Sequence, residues 1–479
     1  MILQGIRIHF IGIGGYGMSG LARVFLEMGS VVSGSDVKAS ERTEKLAHAG
    51  ARVFIGHHPQ NINGAEWVVY NTDVPPDNVE LVEAQKKGLR VMHRSELLSL
   101  LINERKSIAI TGTHGKTTTT AMTALALEVG GLDPTVLIGG ETTEFNGNAK
   151  LGRSPYLVAE ADESDASFLR YRPLVAVITN IEPEHLEHYG GDFNRLVEAF
   201  RQFAQQVRPG GRVVLGWDNP TSRGLAEALD PSSVVTFGFC EGAELRAVDL
   251  REHEGGNTAT LVRNGRRLGN LGLKIPGKHN IANALAAAAA SLEVGIPFDR
   301  IRASLARFQG VKRRFQVIGR SRGILVVDDY AHHPTEIRAT LAAAREGNPE
   351  RVVAVFQPQR YVRTGSLMEE FSRSFDLADE VVLAEIYAPP GEKPIPGVSS
   401  YQLGKLVEGQ TGQVVPVFDT KEEVLDYLLK MVRPGDTVLT MGAGDIWKIA
   451  HRLAEVLREQ GQGFLGRRKD ARTDGTFNS

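Results

Sequence analysis

Short apolar runs alternate with longer stretches of helical period along almost the whole chain. The runs 7–11, 31–35, 67–70, 107–111, 157–160, 175–179, 212–216, 323–327, 352–356, 380–384 and 437–441 are rich in Val, Ile and Leu. Their length and composition predict β-strands. The windows 117–129, 281–292 and 449–459 repeat their apolar residues at helical spacing and predict helices. This alternation predicts an α/β fold with mainly parallel sheets.

Two places interrupt the pattern. A polar patch at 103–106 separates a helical stretch from a new strand, and a basic segment at 310–314 precedes another. They divide the chain into 1–104, 105–311 and 312–460, each of ordinary domain size. The segment 461–479 lacks apolar periodicity and reads as a disordered end.

Each division carries polar residues at the end of a strand, where open α/β sheets place their ligands. The first opens with Gly12-Ile13-Gly14-Gly15-Tyr16-Gly17-Met18-Ser19, directly after a strand and before a helix, and Asp36 closes the next strand. Strand, glycine turn, helix and spaced acid together form a dinucleotide fingerprint. A diphosphate would rest on the helix N-terminus and a ribose hydroxyl on Asp36. NAD and a UDP-sugar share those groups, so the motif does not choose between them.

The second contains Gly112-Thr113-His114-Gly115-Lys116-Thr117-Thr118 after a strand. Backbone N–H groups would cradle the phosphates of a nucleotide, Lys116 would reach the outer ones, and the Thr117 hydroxyl would ligate Mg²⁺. Ile110 stands where the usual phosphate loop has its first glycine. Glu160, at the end of the next apolar run, is placed for a metal ligand, whereas Glu163 and Asp165 read as solvated loop acids. His185 follows another strand end and is read equally as a second metal ligand or an ordinary loop histidine. His279, Asn280 and Asn283 open a helix, where they can read a purine edge or simply cap.

The third contains Asp328-Asp329-Tyr330-Ala331-His332-His333-Pro334 and Gln357-Pro358-Gln359-Arg360-Tyr361-Val362-Arg363-Thr364, again after strands. The fixed forks of Arg360 and Arg363 suit a carboxylate.

Composition narrows the partners. A net charge of -2 offers no electrostatic reason to expect nucleic acid or an anionic membrane. No apolar run reaches the ~20 residues that span a bilayer. The single cysteine, Cys240, excludes an intrachain disulfide and reads as a buried small hydrophobe, compatible with a reducing cytosol.

Taken together, Gly-Ile-Gly-Gly-x-Gly-Met-Ser, Gly-Thr-His-Gly-Lys-Thr-Thr, Glu-Ala-Asp-Glu-Ser-Asp, Asp-Asp-Tyr-Ala-His-His-Pro and Phe-Gln-Pro-x-Arg-Tyr-x-Arg-Thr resemble the Mur ligase family over nearly the whole chain. The resemblance implies three domains: a Rossmann-like N-terminal domain for a UDP-sugar, a central P-loop ATPase-type domain, and a Rossmann-like C-terminal domain that closes over both and admits an amino acid. It implies a bacterial cytoplasmic enzyme, monomer or homodimer, that uses ATP and two Mg²⁺ (or Mn²⁺) to ligate L-alanine to UDP-N-acetylmuramate through an acyl phosphate. Carried over by position, Lys116 and Thr117 serve the phosphates and first metal, Glu160 is shared between metals, and His185 takes the second. His279, Asn280 and Asn283 lie near the adenine, and Tyr330, His332, Arg360 and Arg363 line the amino-acid and muramoyl side. Family members of later steps carry a carbamoylated lysine where Phe200 stands here, which argues against a later-step enzyme. A murein tripeptide-recycling ligase of the same family is the alternative, opposed by the Arg360–Arg363 segment. A dehydrogenase would leave the Gly-Lys-Thr loop idle, and a non-ligase nucleotide-binding protein would not explain the third division.

Overall fold

The computed structural model describes residues 5–253, 255–389 and 391–473, with side chains as far as 460. It contains three sheets flanked by helices, the α/β architecture expected. The chain forms two compact units. One comprises the residues up to Leu250 with Thr258–Lys274 and Asn280–Val311; the other comprises Arg251–Asn257, Ile275–His279 and the chain from Lys312 on.

The first unit begins with a five-stranded parallel sheet in the order Arg52–Ile55, Val31–Asp36, Arg7–Ile11, Trp67–Tyr70, Arg90–His93. The strand order reverses at Arg7–Ile11, and such a switch point opens a crevice at the strand's carboxyl end. The glycine motif occupies that end.

At the centre of the ten-stranded second sheet, Lys106–Thr111 lies between Tyr156–Glu160 and Val175–Ile178, parallel to both. All four residues of Val175–Ile178 are buried, as expected for a strand covered on both faces. Beyond Tyr156–Glu160 come the parallel Thr135–Thr142 and the antiparallel Gly147–Lys150. One apolar cluster joins residues of both sheets, from Phe10, Met18 and Leu97 to Leu157, Phe168 and Phe200. Phe200 is fully buried, its ring edge-on to Phe168 at 5.3 Å.

The second unit holds a six-stranded sheet. Gln316–Ser321 runs antiparallel to Ile324–Asp329, and Asp436–Met441, Arg351–Phe356, Glu380–Ala384 and Val417–Phe418 continue it in parallel. Helix Trp447–Thr473 continues into the segment read from sequence as a disordered end, of which 474–479 lie outside the described residues. Cys240 is exposed, not buried. It follows strand Val234–Gly238 in a turn whose N–H groups at Phe239 and Cys240 donate to Asp218, so the backbone there is tied and the thiol faces outward. Among the described residues no helix is long and apolar enough to cross a membrane.

Candidate active site

Three parallel strands deliver three loops to one edge of the second sheet. Lys106–Thr111 brings the Gly-Lys-Thr loop, Tyr156–Glu160 ends in Glu160, and Val175–Ile178 leads to Thr179, Asn180 and, further on, His185. The central loop turns on Gly112 at φ +128° and Gly115 at φ +81°, conformations that glycine adopts without strain. A Cβ on Gly112 would lie 2.1 Å from Thr179 Oγ1, and one on Gly115 2.2 Å from Asn283 Oδ1. Asn180 holds the loop from the side. Its carbonyl accepts the Thr113 N–H at 3.0 Å and its Oδ1 accepts the His114 N–H at 2.9 Å. The Thr179 hydroxyl donates to the His114 carbonyl at 2.6 Å.

Helix Lys116–Val129 starts at this turn and points its N-terminus, with its free N–H groups and positive dipole end, at the loop. Lys116 Nζ donates to the Gly112 and Thr113 carbonyls at 2.6 and 3.0 Å and to Glu163 Oε1 at 2.7 Å. Burial works against the charged ammonium, but Glu163, Asp162 and Glu160 outweigh it and hold its pKa above the ordinary lysine range. Glu163 is thus no solvated loop acid: it is 2% exposed, and burial pushes its carboxyl up to about 7 against the pull of Lys116. Asp165 also has local work, accepting from the Ser167 N–H and the Thr72 hydroxyl.

Thr117 Oγ1 donates to Glu160 Oε2 at 2.9 Å, and the same oxygen accepts the Gly139 N–H at 3.0 Å. A hydroxyl and a carboxylate one hydrogen bond apart are hard oxygen donors that fit Mg²⁺. Thr118 is buried behind them. His185 sits at φ +56° before the turn Leu186–Tyr189, with its Nε2 3.9 Å from Glu184 Oε1. Asn283 accepts from Thr119 Oγ1 at 3.3 Å and donates to Asn280 Oδ1 at 3.2 Å, so this pair of amides lies under the phosphate loop.

In the glycine motif of the first sheet, Gly12 turns at φ +78°. The Gly12 and Ile13 N–H groups both donate to the Ser35 carbonyl, at 2.8 and 2.9 Å. Asp36 Oδ2 accepts the Gly14 N–H at 2.8 Å, so this carboxylate fastens the turn itself. Gly15, Gly17 and Met18 line a cavity of about 300 Å³ that reaches Glu160 and Asp162. Ser19 is buried, and its hydroxyl donates to the Tyr16 carbonyl at 3.1 Å. Beneath Ser35 lies a buried carboxylate that the sequence reading missed. Glu80 accepts from the Ser35 hydroxyl at 2.5 Å, Asn61 Nδ2 at 2.6 Å and the His58 N–H at 3.1 Å, and its Oε2 is 3.3 Å from His9 Nε2.

The second unit has its own polar edge. Asp329 is buried and accepts from the Phe315 and Ala331 N–H groups at 2.6 and 2.7 Å; burial pushes it up to about 6. Arg313 and Arg314 lie against the Tyr330 ring, 4.9 and 5.0 Å from its centre. His332 Nδ1 is 2.9 Å from the Tyr330 carbonyl, an acceptor, which puts a proton on Nδ1. His279 is counted with this unit, although it directly precedes Asn280 in helix Lys278–Glu293; burial pushes it down to about 4, so it is neutral at pH 7. Arg360 sits at φ +67°, a strained conformation of the kind that functional sites retain. Arg363 Nη1 donates to Gln359 Oε1 at 2.8 Å.

Known proteins place this arrangement. Residues 7–106 match the model of the Mur ligase family catalytic domain, 110–291 the Mur ligase middle domain, and 313–444 the Mur ligase glutamate ligase domain. The chain is 54% identical to the UDP-N-acetylmuramate–L-alanine ligase of Symbiobacterium thermophilum, over 96% of each chain. It is 48% identical to the ligase of the same name from Pelotomaculum thermopropionicum, over 95% of this chain and 98% of the relative. Among solved structures, the UDP-N-acetylmuramate-alanine ligase of Thermotoga maritima superposes with a TM-score of 0.82 at 31% identity, covering 95% of this chain and all of the other. A murein peptide ligase from Psychrobacter arcticus gives 0.70 at 25% identity, covering 95% and 99%.

Proposed function

The chain belongs to the Mur ligase family, and from that membership we propose that it ligates L-alanine to the carboxylate of UDP-N-acetylmuramate, converting ATP to ADP and phosphate. This is the first amino-acid addition in bacterial peptidoglycan synthesis. The observation that carries it is the near full-length likeness to relatives of that name, joined to a Lys116–Thr117–Glu160 constellation suited to a nucleoside triphosphate.

A carboxylate does not condense with an amine at neutral pH, so the acid must first be activated. The γ-phosphoryl group passes to the muramoyl carboxylate oxygen and ADP leaves. The amine of L-alanine attacks the acyl carbon, and phosphate leaves with the activating oxygen. Positioning and charge neutralisation do most of this work. Lys116 exchanges Glu163 and the loop carbonyls for the phosphates. Thr117 and Glu160 would hold Mg²⁺, and the family likeness assigns His185 to a second ion. The metal supplies charge neutralisation on the phosphates when bound. Asn280, Asn283 and His279 serve the adenine, and Tyr330, Arg360 and Arg363 the amino acid and muramoyl group. His332, oriented by the Tyr330 carbonyl, accepts the amine proton. Residues 1–104 take the sugar nucleotide, 105–311 the ATP and 312–460 the amino acid, and the enzyme works in the cytoplasm, where ATP is made.

The test is phosphate release from ATP, Mg²⁺ and UDP-N-acetylmuramate. It is expected only when L-alanine is added, with no release when a murein tripeptide replaces it. Equal release without any amine overturns the reading.

A further inference from the structure

The third glycine of the glycine motif, Gly17, lies inside helix Tyr16–Glu27 and not at a left-handed position. In dinucleotide folds this glycine lets the helix approach the sheet closely. Here what approaches is a cation. A Cβ on Gly17 would stand 2.8 Å from Arg94 Nη1, 3.0 Å from its Cδ and 3.3 Å from its Cζ. The missing side chain is filled by a guanidinium.

That guanidinium is poorly served where it lies. Its side chain is 19% exposed, and its charged partner among the described residues is Asp162, whose Oδ2 is 3.6 Å from Nη2, too far for a hydrogen bond. Arg94 is the first residue of helix Arg94–Glu104, whose first turn carries Glu96, and it lies over the first turn of Tyr16–Glu27, a turn with no acidic residue. Cations are disfavoured at helix N-termini and anions favoured. A charged fork with spare donors, beside two helix N-termini and lining the cavity with Gly15 and Gly17, is arranged for an anion.

We infer that Arg94 is a binding residue for the diphosphate of the sugar nucleotide, held in its absence by Asp162 of the Glu160-Ala161-Asp162-Glu163 loop. This deepens the proposed function and rests on it. The diphosphate is favoured over the muramoyl carboxylate because Arg94 covers the helix turn on which a diphosphate rests. Asp162 is a competitor. Its Oδ2 faces the same guanidinium, 3.6 Å from Nη2.

Calorimetry without ATP tests this with two ligands, UDP-N-acetylmuramate and UDP-N-acetylglucosamine, which share the diphosphate but not the carboxylate. Arg94→Gln is expected to weaken both by the same factor, roughly 10- to 100-fold for a lost charge-assisted contact. Asp162→Asn is expected to tighten both a few-fold, and to do nothing in the Arg94→Gln background. Arg94→Lys keeps the charge without the fork and is expected to fall between; it serves in place of Arg94→Gln if the latter fails to fold. Unchanged affinity in the Arg94 variants overturns the inference. So does a loss confined to UDP-N-acetylmuramate, which would make the carboxylate the anion, or an Asp162→Asn gain that survives without Arg94. Failure of the wild-type protein to bind either ligand overturns the proposed function as well.

Discussion

Glu80→Gln tests how the first sheet holds its glycine loop. The Glu80 side chain has no solvent exposure, and neither has that of His9. Burial alone would raise the Glu80 pKa. Hydrogen bonds from His9, Ser35 and Asn61 outweigh burial and bring it from 4.5 down to about 2. At about 1.4 kcal/mol per pH unit, that difference corresponds to about 3 kcal/mol of stability at pH 7. The folded pKa is the lower one, so the contribution is fully present above pH 4.5 and is lost as pH falls from 4.5 toward 2. Gln keeps one acceptor oxygen but no charge, so about 3 kcal/mol is an upper value for its cost. Hydrogen exchange in Arg7–Ile11 reads it directly. In the variant, protection at pH 7 should fall by as much as roughly 300-fold. At pH 4 the gap between wild type and variant should be smaller than at pH 7. Exchange within threefold of wild type at pH 7, or a gap that widens on acidification, would refute the reasoning.

Other predictions concern the ATP side and the amine. Lys116→Ala removes the cation held by Glu163 and should lower phosphate release by at least about 100-fold, while calorimetric binding of UDP-N-acetylmuramate stays within a few-fold of wild type. Gly115→Ala combines φ +81° with a Cβ 2.2 Å from Asn283 Oδ1; it should cost about 1–3 kcal/mol of loop strain and weaken ATP in a fluorescent-nucleotide titration. His332→Ala should lower kcat by about 100-fold with little change in the KM for ATP, and a near-normal rate at saturating substrates excludes the proton-acceptor role. Chelation of divalent ions should abolish phosphate release, and added Mg²⁺ should restore it, since Thr117 and Glu160 offer only oxygen donors.

The legible parts of this molecule are those whose cause is local. Central parallel strands are buried on both faces, so Val175–Ile178 and Lys106–Thr111 stand out as apolar runs. Strands such as Leu245–His253 and Arg266–Leu273 carry charged residues on an open face and leave no such run, and they went unpredicted. The same division holds in the site. Gly112, Gly115, Lys116 and Thr117 are readable because one turn and one helix start need them together. Glu163, Asn180 and Glu80 are not, because their roles depend on partners 47, 66 and 45 residues away. Ile110 joins the two cases. It is buried in its strand, paired with Glu160 and Val177. The turn begins only at Gly112, and Asn180, just past the end of the neighbouring strand, supplies acceptors for the next two N–H groups. A phosphate loop clasped from the side has no need of a glycine at 110. The departure from the common pattern is therefore a statement about the neighbouring strand, and Asn180→Ala should loosen the loop, raising the KM for ATP by roughly tenfold for the loss of a buried hydrogen-bond partner. An unchanged KM would return the explanation to residue 110 itself.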